Sequence, residues 1–280
     1  MEDRLTSNGI QSEIIAFYQQ GDEASRLLQG YGRLEFTRTQ ELLGRFLPDP
    51  PAVILDVGGG SGIYAGPLAR RGYEVHLVDA VQLHVEQALQ MSSEQPDHPL
   101  ISVKVGDARN LQQDDDSTDA VLLFGPLYHL IKIEDRLLAL VEARRVLRSG
   151  GVVLAVGISR FASTLQGFAQ GFLDDPEFEA LAGRDLVEGQ HRNPTEKKRY
   201  FTTAYFHHPD ELGDELRTAG FEHERTAAVE GPLWMLRDVD EHWDDPARRQ
   251  RMLSFLRHVE GEPSMLGTSA HIMAIGRKVG

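Results

Sequence analysis

The stretch Val53-Ile54-Leu55-Asp56-Val57-Gly58-Gly59-Gly60-Ser61-Gly62-Ile63-Tyr64 passes from an apolar run into a cluster of glycines and on into a helical pattern. A short Val/Ile/Leu run reads as a buried strand of a parallel sheet. Glycines directly after it let the backbone turn tightly and approach a ligand with no side chain between. Outward from this turn, a second strand, Tyr73-Glu74-Val75-His76-Leu77-Val78, ends at Asp79. A carboxylate there accepts hydrogen bonds from both hydroxyls of a ribose. A third strand, Ile101-Ser102-Val103-Lys104-Val105, leads into Gly106-Asp107-Ala108 and sets a carboxylate near an adenine amino group.

A nicotinamide dinucleotide site shares this outline, and three details weigh against it. The glycines fall at Gly58, Gly60 and Gly62, and Ile63 stands where the third glycine of a dinucleotide fingerprint would let helix and strand approach. Asp56, at the strand end, adds negative charge that opposes a pyrophosphate and suits an ammonium or sulfonium. The Asp107-Ala108 pair is the third.

With these motifs in this order, the chain resembles a class I S-adenosylmethionine-dependent methyltransferase, strongly over residues 35 to 157 and more loosely elsewhere. The resemblance implies that the loop from Asp56 to Gly62 holds the methionine part of the cofactor, that Asp79 holds the ribose, and that Asp107 and Ala108 hold the adenine. Gly58 and Gly60 are the loop positions expected in contact, with Phe124 at the end of strand four. That strand, Asp119-Ala120-Val121-Leu122-Leu123-Phe124, runs into Gly125-Pro126-Leu127-Tyr128-His129-Leu130, a signature similar to that of a bacterial subgroup with no single agreed substrate. The implied fold is α/β, a Rossmann-like seven-stranded sheet with its last strand antiparallel.

Periodicity supplies the rest of the organisation. Ile10, Ile14, Ile15 and Phe17-Tyr18 predict one amphipathic helix, and Leu34 through Leu47 predict another that ends at Pro48. Strands near 52–57, 73–78, 100–105, 119–124 and 152–157 alternate with helices over 62–70, 81–91 and 134–147, which means a parallel sheet with right-handed crossovers. Arg148-Ser149-Gly150-Gly151 is expected to stop the helix before strand five with a glycine cap. Residues 160–206 scatter Phe161, Phe168, Phe172, Phe178, Tyr200, Phe201, Tyr205 and Phe206 among polar breaks and read as a lid. The expected division is an N-terminal helical cap over 1–48, a core over 49–159 and 207–280, and a lid over 160–206.

Composition bounds the function. A chain of 280 residues with 41% hydrophobic content can bury a sizeable core. No apolar run reaches the ~18 residues of a membrane span, and the acidic start Met1-Glu2-Asp3 is unlike a secretory signal, so a cytoplasmic protein without membrane contact is expected. The net charge of −14 argues against nucleic acid as partner, because phosphate binding relies on Lys and Arg. Short basic runs such as Lys197-Lys198-Arg199 read as solvated loop or helix faces. Cysteine is absent, Asp114-Asp115-Asp116 lacks the rest of a calcium loop, and no metal is expected. Exposed apolar positions on the N-terminal helices would either cover the site or exchange between subunits of a homodimer.

The expected reaction is transfer of the sulfonium methyl to a small, apolar or aromatic acceptor, leaving S-adenosylhomocysteine. In-line displacement needs the acceptor held about 3 to 3.5 Å behind the methyl and water excluded. Tyr18, Tyr31 and Arg38 are expected to contact the cofactor from above, with Arg33 or Arg38 pairing its carboxylate. His129, with a pKa near 6.5, is the candidate base. Tyr128 beside it would orient the acceptor or lay its ring against the sulfonium. His191, Arg192, Tyr200 and Tyr205 are the expected substrate contacts of the lid. His271 reads as a core or edge residue, and Trp234 and Trp243 as pocket walls or a helix anchor. A methyltransferase of protein or RNA, and a non-catalytic cofactor-binding module, stay open as alternatives.

Overall fold

A computed structural model describes residues 12–19, 23–195, 197–236 and 239–280. Ile10 of the first predicted helix and the start Met1-Glu2-Asp3 lie outside the described residues. Helices α1 (Ser12–Tyr18), α2 (Glu23–Arg26) and α3 (Tyr31–Phe46) precede β1 (Val53–Val57). There follow α4 (Ala65–Arg70), β2 (Glu74–Asp79), α5 (Gln82–Ser93), β3 (Ser102–Val105), β4 (Thr118–Leu123), α6 (Pro126–His129), α7 (Ile133–Val146) and β5 (Leu147–Ser159). The next stretch holds α8 (Ala162–Gln170), α9 (Pro176–Glu188), β6 (Gln190–His191) and β7 (Ala204–His207). The chain closes with α10 (Glu211–Thr218), β8 (Glu222–Ala228), α11 (Val239–Asp244), α12 (Pro246–Val259), α13 (Pro263–Leu266) and β9 (His271–Arg277).

The sheet is parallel from β3 through β2, β1 and β4 to β5, and β9 then pairs antiparallel with both β5 and β8. These seven strands are the Rossmann-like core expected from the sequence. Two more come from the stretch read as a lid: β6 pairs with β7, and β7 joins β5 only at Ile158 and Ser159, beyond the residues that pair with β4. Strands of two and four residues are too short to carry a periodic signal.

Each face of the sheet is sealed by helices. Leu42 and Leu43 of α3, Leu68 of α4 and Ala88 of α5 pack on Ile54, Leu77, Leu122, Leu154 and Ile275. On the opposite face Ala139, Leu140 and Ala143 of α7 and Leu212 and Leu216 of α10 pack on Leu55, Val121, Val153 and Ile272. Each of these fully buried leucines and isoleucines contributes about 1.5–3 kcal/mol. The sheet is thereby fixed, and its carboxyl ends are left to build a site.

One local expectation is corrected. Helix α7 has no glycine cap: it stops at Val146, and Leu147 already has extended geometry. Gly150, with φ +80°, falls inside an irregular start of β5 instead. The aromatics Phe172, Phe178 and Tyr200 face one another, with ring centroids 4.8–5.5 Å apart, and form a small core of their own. Trp234 and Trp243 likewise pack with Leu34, Leu253 and Leu256, anchoring α12 to α3. Among the described residues, no helix is long and apolar enough to cross a membrane.

Candidate active site

A cavity of about 770 Å³ opens over the carboxyl ends of the parallel strands. Its walls reach from Asp107, after β3, to His271, at the start of β9. Through the order β3, β2, β1, β4, β5, β9 that is five strand steps, roughly 24 Å at about 4.8 Å each. The volume lies within the ~300–1,000 Å³ usual for small-molecule sites.

The half over β3, β2 and β1 is built by short loops. Gly58 and Gly60 have φ of +75° and +56°, conformations that side chains disfavour. A Cβ on Gly58 would lie 2.6 Å from Cδ of Pro126, whereas one on Gly60 would meet nothing within 4 Å. The loop is held from below by Asp79, whose Oδ2 accepts from Gly60 N at 2.9 Å and whose Oδ1 accepts from Val81 N at 2.8 Å and His84 Nδ1 at 3.1 Å. Asp107 accepts from the backbone N, Nε and a terminal nitrogen of Arg109, which also reaches Asp135 at 3.1 Å. Ala108 and Phe124 complete this wall. Arg109 was missed in the sequence, where nothing distinguishes a guanidinium that braces Asp107 from any other loop arginine.

Asp56 is fully buried on the cavity wall, and neither carboxylate oxygen has a hydrogen-bond partner among the described residues. Burial, and then the charge of Asp79, push its pKa up to about 7. A buried orphan carboxylate is costly. A cationic group such as an ammonium would supply the missing partner, so this donor set and the open side of Gly60 fit the methionine end of S-adenosylmethionine.

Tyr128 and His129 of α6 also line the cavity. The Tyr18 hydroxyl lies 2.8 Å from Nε2 of His129, and Nδ1 donates to the Thr203 carbonyl at 3.2 Å. The Tyr18 ring meets both His129 and His84 edge-on, so α1 and α6 close over the Asp79 side of the cavity. Burial pulls the His129 pKa down to about 4, against the Thr203 bond and the charge of Asp79. The expectation of a base near 6.5 is therefore corrected: the ring is neutral at pH 7, weakly basic, and its free lone pair already accepts from Tyr18.

Several expected contacts stand elsewhere. Tyr31 packs against the C-terminal helices and donates to the Leu236 carbonyl at 2.8 Å. Arg38 is wholly buried, donating to Glu260 at 2.5 Å, to the Val229 carbonyl at 3.1 Å and to Glu41. Arg33 pairs with Asp240 and Asp244. None of the three lines the cavity. Between residues 160 and 206, Arg192 and Tyr205 line it, with the Arg136 guanidinium 3.7 Å from the Tyr205 ring centroid. His191 instead bridges Asp185, at 2.8 Å, and the Tyr200 carbonyl, at 2.6 Å, while the Tyr200 hydroxyl donates to Asp175. Those two hold the lid's interior together.

The far wall, under β5 and β9, holds a charged cluster that the sequence reading passed over. His271 Nδ1 donates to Glu230 Oε1 at 2.6 Å, with Glu35 Oε2 3.9 Å away. Arg26 forks onto Glu35 at 2.6 and 3.0 Å. Burial alone would lower the His271 pKa, but the charges of Glu230 and Glu35 outweigh it and hold the ring up at about 9. The three side chains could converge on a cation. Their oxygens are engaged already, however: Glu35 by Arg26, Glu230 by His271 and by Ser269 Oγ.

Residues 55–155 match the family model described as a methyltransferase domain. Over these residues the chain carries a methyltransferase domain of the class I, S-adenosylmethionine-dependent kind. Family and fold imply S-adenosylmethionine as cofactor. Over 140 residues, 48% of this chain and 54% of the relative, it is 28% identical to a ubiquinone biosynthesis O-methyltransferase of Mesorhizobium japonicum. Over 125 residues, 41% of this chain and 48% of the relative, it is 35% identical to the ubiquinone/menaquinone biosynthesis C-methyltransferase UbiE of Caulobacter vibrioides. The chain thus spans about half the length of these curated relatives. Among solved structures, a SAM-dependent methyltransferase of Methanosarcina mazei shares the fold, with a TM-score of 0.56 and 19% identity over 85% of this chain and 97% of that one.

Proposed function

We propose that this methyltransferase-fold chain transfers a methyl group from S-adenosylmethionine to a small-molecule acceptor by in-line displacement. The observation that carries the proposal is a cavity in which an orphan buried carboxylate, Asp56, and the glycine loop face a second half beyond β4. The cofactor supplies a methyl on a sulfonium, already activated toward a nucleophile. On this reading Asp56 neutralises the amino end of the cofactor, Asp79 accepts from the ribose while keeping Gly60 in place, and Asp107 and Ala108 flank the adenine.

The remaining groups exclude water and orient the acceptor. Tyr64 stacks on Phe36 and meets Phe124 edge-on, and with Tyr128, Val156 and Val229 these rings give the second half apolar walls. They favour an apolar or aromatic acceptor, and the names of the relatives agree with a small-molecule one. We read the Tyr18–His129 pair as a clasp that closes α1 over the ribose side, and residues 160–206 as the lid that closes the other. Incubation with S-adenosylmethionine and a panel of small phenols, amines and carboxylic acids, read as release of S-adenosylhomocysteine, tests the proposal. Turnover on at least one acceptor is the expected result, with Asp79→Ala needing far more S-adenosylmethionine to reach the same rate. Release from a protein or RNA substrate alone would replace the small-molecule reading.

A further inference from the structure

The acceptor half contains a charge arrangement that cofactor binding does not call upon. His271 opens β9, two strands beyond β4, on the side of the cavity away from the adenine motif. Its Nδ1 faces two carboxylates, Glu230 at 2.6 Å and Glu35 at 3.9 Å, and its backbone N–H also donates to Glu230. The other ring nitrogen, Nε2, has no hydrogen-bond partner among the described residues. Glu230 is fixed in turn by Ser269 Oγ, and Glu35 by Arg26, so neither carboxylate is free to swing into the cavity. The charged groups facing the ring are therefore Glu35, Glu230 and Arg26, with the Tyr64 hydroxyl nearby, hydrogen-bonded to Thr39.

An imidazole that donates from Nδ1 to a carboxylate, with a second carboxylate close by, is favoured in its charged form. Its Nε2 then carries an N–H and acts as a charge-assisted donor. Resting on the methyltransferase reading above, we propose that His271 is the acceptor-binding residue of this site, presenting Nε2–H to an acidic oxygen of the acceptor. The ligand class is a small molecule that bears an ionisable oxygen, a phenol, enol or carboxylic acid, on an apolar body. Tyr64, Phe124, Val156 and Val229 supply the apolar surroundings. Glu230 is the positioning residue, because it sets the ring's orientation and charge without touching the acceptor.

The probes are 4-nitrophenol, whose phenolate has a visible band distinct from that of the phenol, and benzoate as a competitor. Each is added to protein saturated with S-adenosylhomocysteine. The wild type should bind 4-nitrophenol with its ionisation midpoint lowered by about one pH unit, as expected for an anion beside a cation, and benzoate should displace it. In His271→Gln that lowering should vanish, and in Glu230→Gln it should shrink, with S-adenosylhomocysteine affinity unchanged in both. Should either variant fail to fold, the imidazole ring signals of 15N-histidine-labelled wild-type protein should still shift on adding 4-nitrophenol. The proposal is overturned if neither probe binds the loaded wild type, or if His271→Gln binds with the same lowered midpoint. It is equally overturned if His271→Gln weakens S-adenosylhomocysteine itself, which would make His271 a cofactor contact. Failure of S-adenosylhomocysteine to bind the wild type removes the underlying methyltransferase reading instead.

Discussion

The two halves of the cavity are built in opposite ways. Over β3, β2 and β1 the two strand-end acids hold partners no more than 19 residues away: Asp79 holds Gly60, Val81 and His84, and Asp107 holds Arg109. Beyond β4 the cluster of Arg26, Glu35, Glu230 and His271 draws on α2, α3, the segment after β8, and β9. On the proposed function, a cofactor common to many reactions is met by a compact loop device, and the part that would choose an acceptor is assembled from distant segments. Variation in those segments can change specificity without disturbing the cofactor side.

The sharpest way to break this division is at Arg38, which the sequence suggested for the cofactor side and which the fold has buried in a structural ion network. Arg38→Ala leaves Glu260 buried and paired only with the half-exposed Arg45. The expected loss is about 3–5 kcal/mol of stability in denaturant melts, with cofactor affinity of the folded fraction unchanged. Weakened affinity at full stability would return Arg38 to the binding site.

A smaller effect is expected from Asp79→Ala. It removes the partner of Gly60 N and two prospective ribose contacts, and hydrogen bonds to a charged group are worth about 1.5–3 kcal/mol each. Cofactor affinity in calorimetry should fall roughly 100-fold. Unaltered affinity would detach the strand-two carboxylate from the ribose.

Smaller still, Tyr18→Phe and His129→Ala should each weaken cofactor binding by several-fold, one hydrogen bond being worth about 1 kcal/mol. The double variant should be no worse than the more impaired single one, as expected of two residues that share one contact. Additive losses would show that the pair does not act as a clasp, and slowed turnover at unchanged affinity would restore His129 as the base.

The two halves were unequally legible in the sequence, for the same structural reason. Strand, glycine turn and strand-end acid are contiguous, so Asp56, Gly58, Gly60, Asp79 and Asp107 are placed on the cavity by local pattern alone. Glu35 and His271 carry no such pattern, since a Glu on a helix face and a His on an alternating strand are ordinary surface and edge residues until the fold joins them. Arg38 shows the converse. Its partner Glu260 is 222 residues away, and a helical arginine with no local partner reads as exposed or ligand-binding. The lid aromatics were legible as apolar but not in direction, because composition cannot tell rings that face each other, as Phe172, Phe178 and Tyr200 do, from rings that face a ligand.

The pH dependence of stability separates the halves as well. The folded pKa of Asp56, about 7, lies above its ordinary value, so its contribution is present in acid and is lost as pH rises through 7. That of His271, about 9, is present below about 6.5 and lost as pH rises through 9. His129 runs the other way, losing its contribution as pH falls from about 6.5 through 4. Between about pH 4 and 6.5 the Asp56 and His129 contributions oppose each other and largely cancel, so melting of the unliganded protein should show its net decline from about 6.5 to 9. Asp56→Asn should uncover a rise in stability from about pH 4 to 6.5, and His271→Gln should remove the decline toward pH 9.

On the proposed function, the orphan carboxylate of Asp56 receives the cationic end of S-adenosylmethionine. Calorimetric titration near pH 7, in two buffers of different ionisation enthalpy, tests it most directly, with S-adenosylmethionine, S-adenosylhomocysteine and NADH in parallel. The account predicts binding of the first two and not of NADH, with a fraction of a proton released as Asp56 ionises, and no such release in Asp56→Asn. Binding of NADH alone, or binding of S-adenosylmethionine with identical proton release in Asp56→Asn, would contradict it.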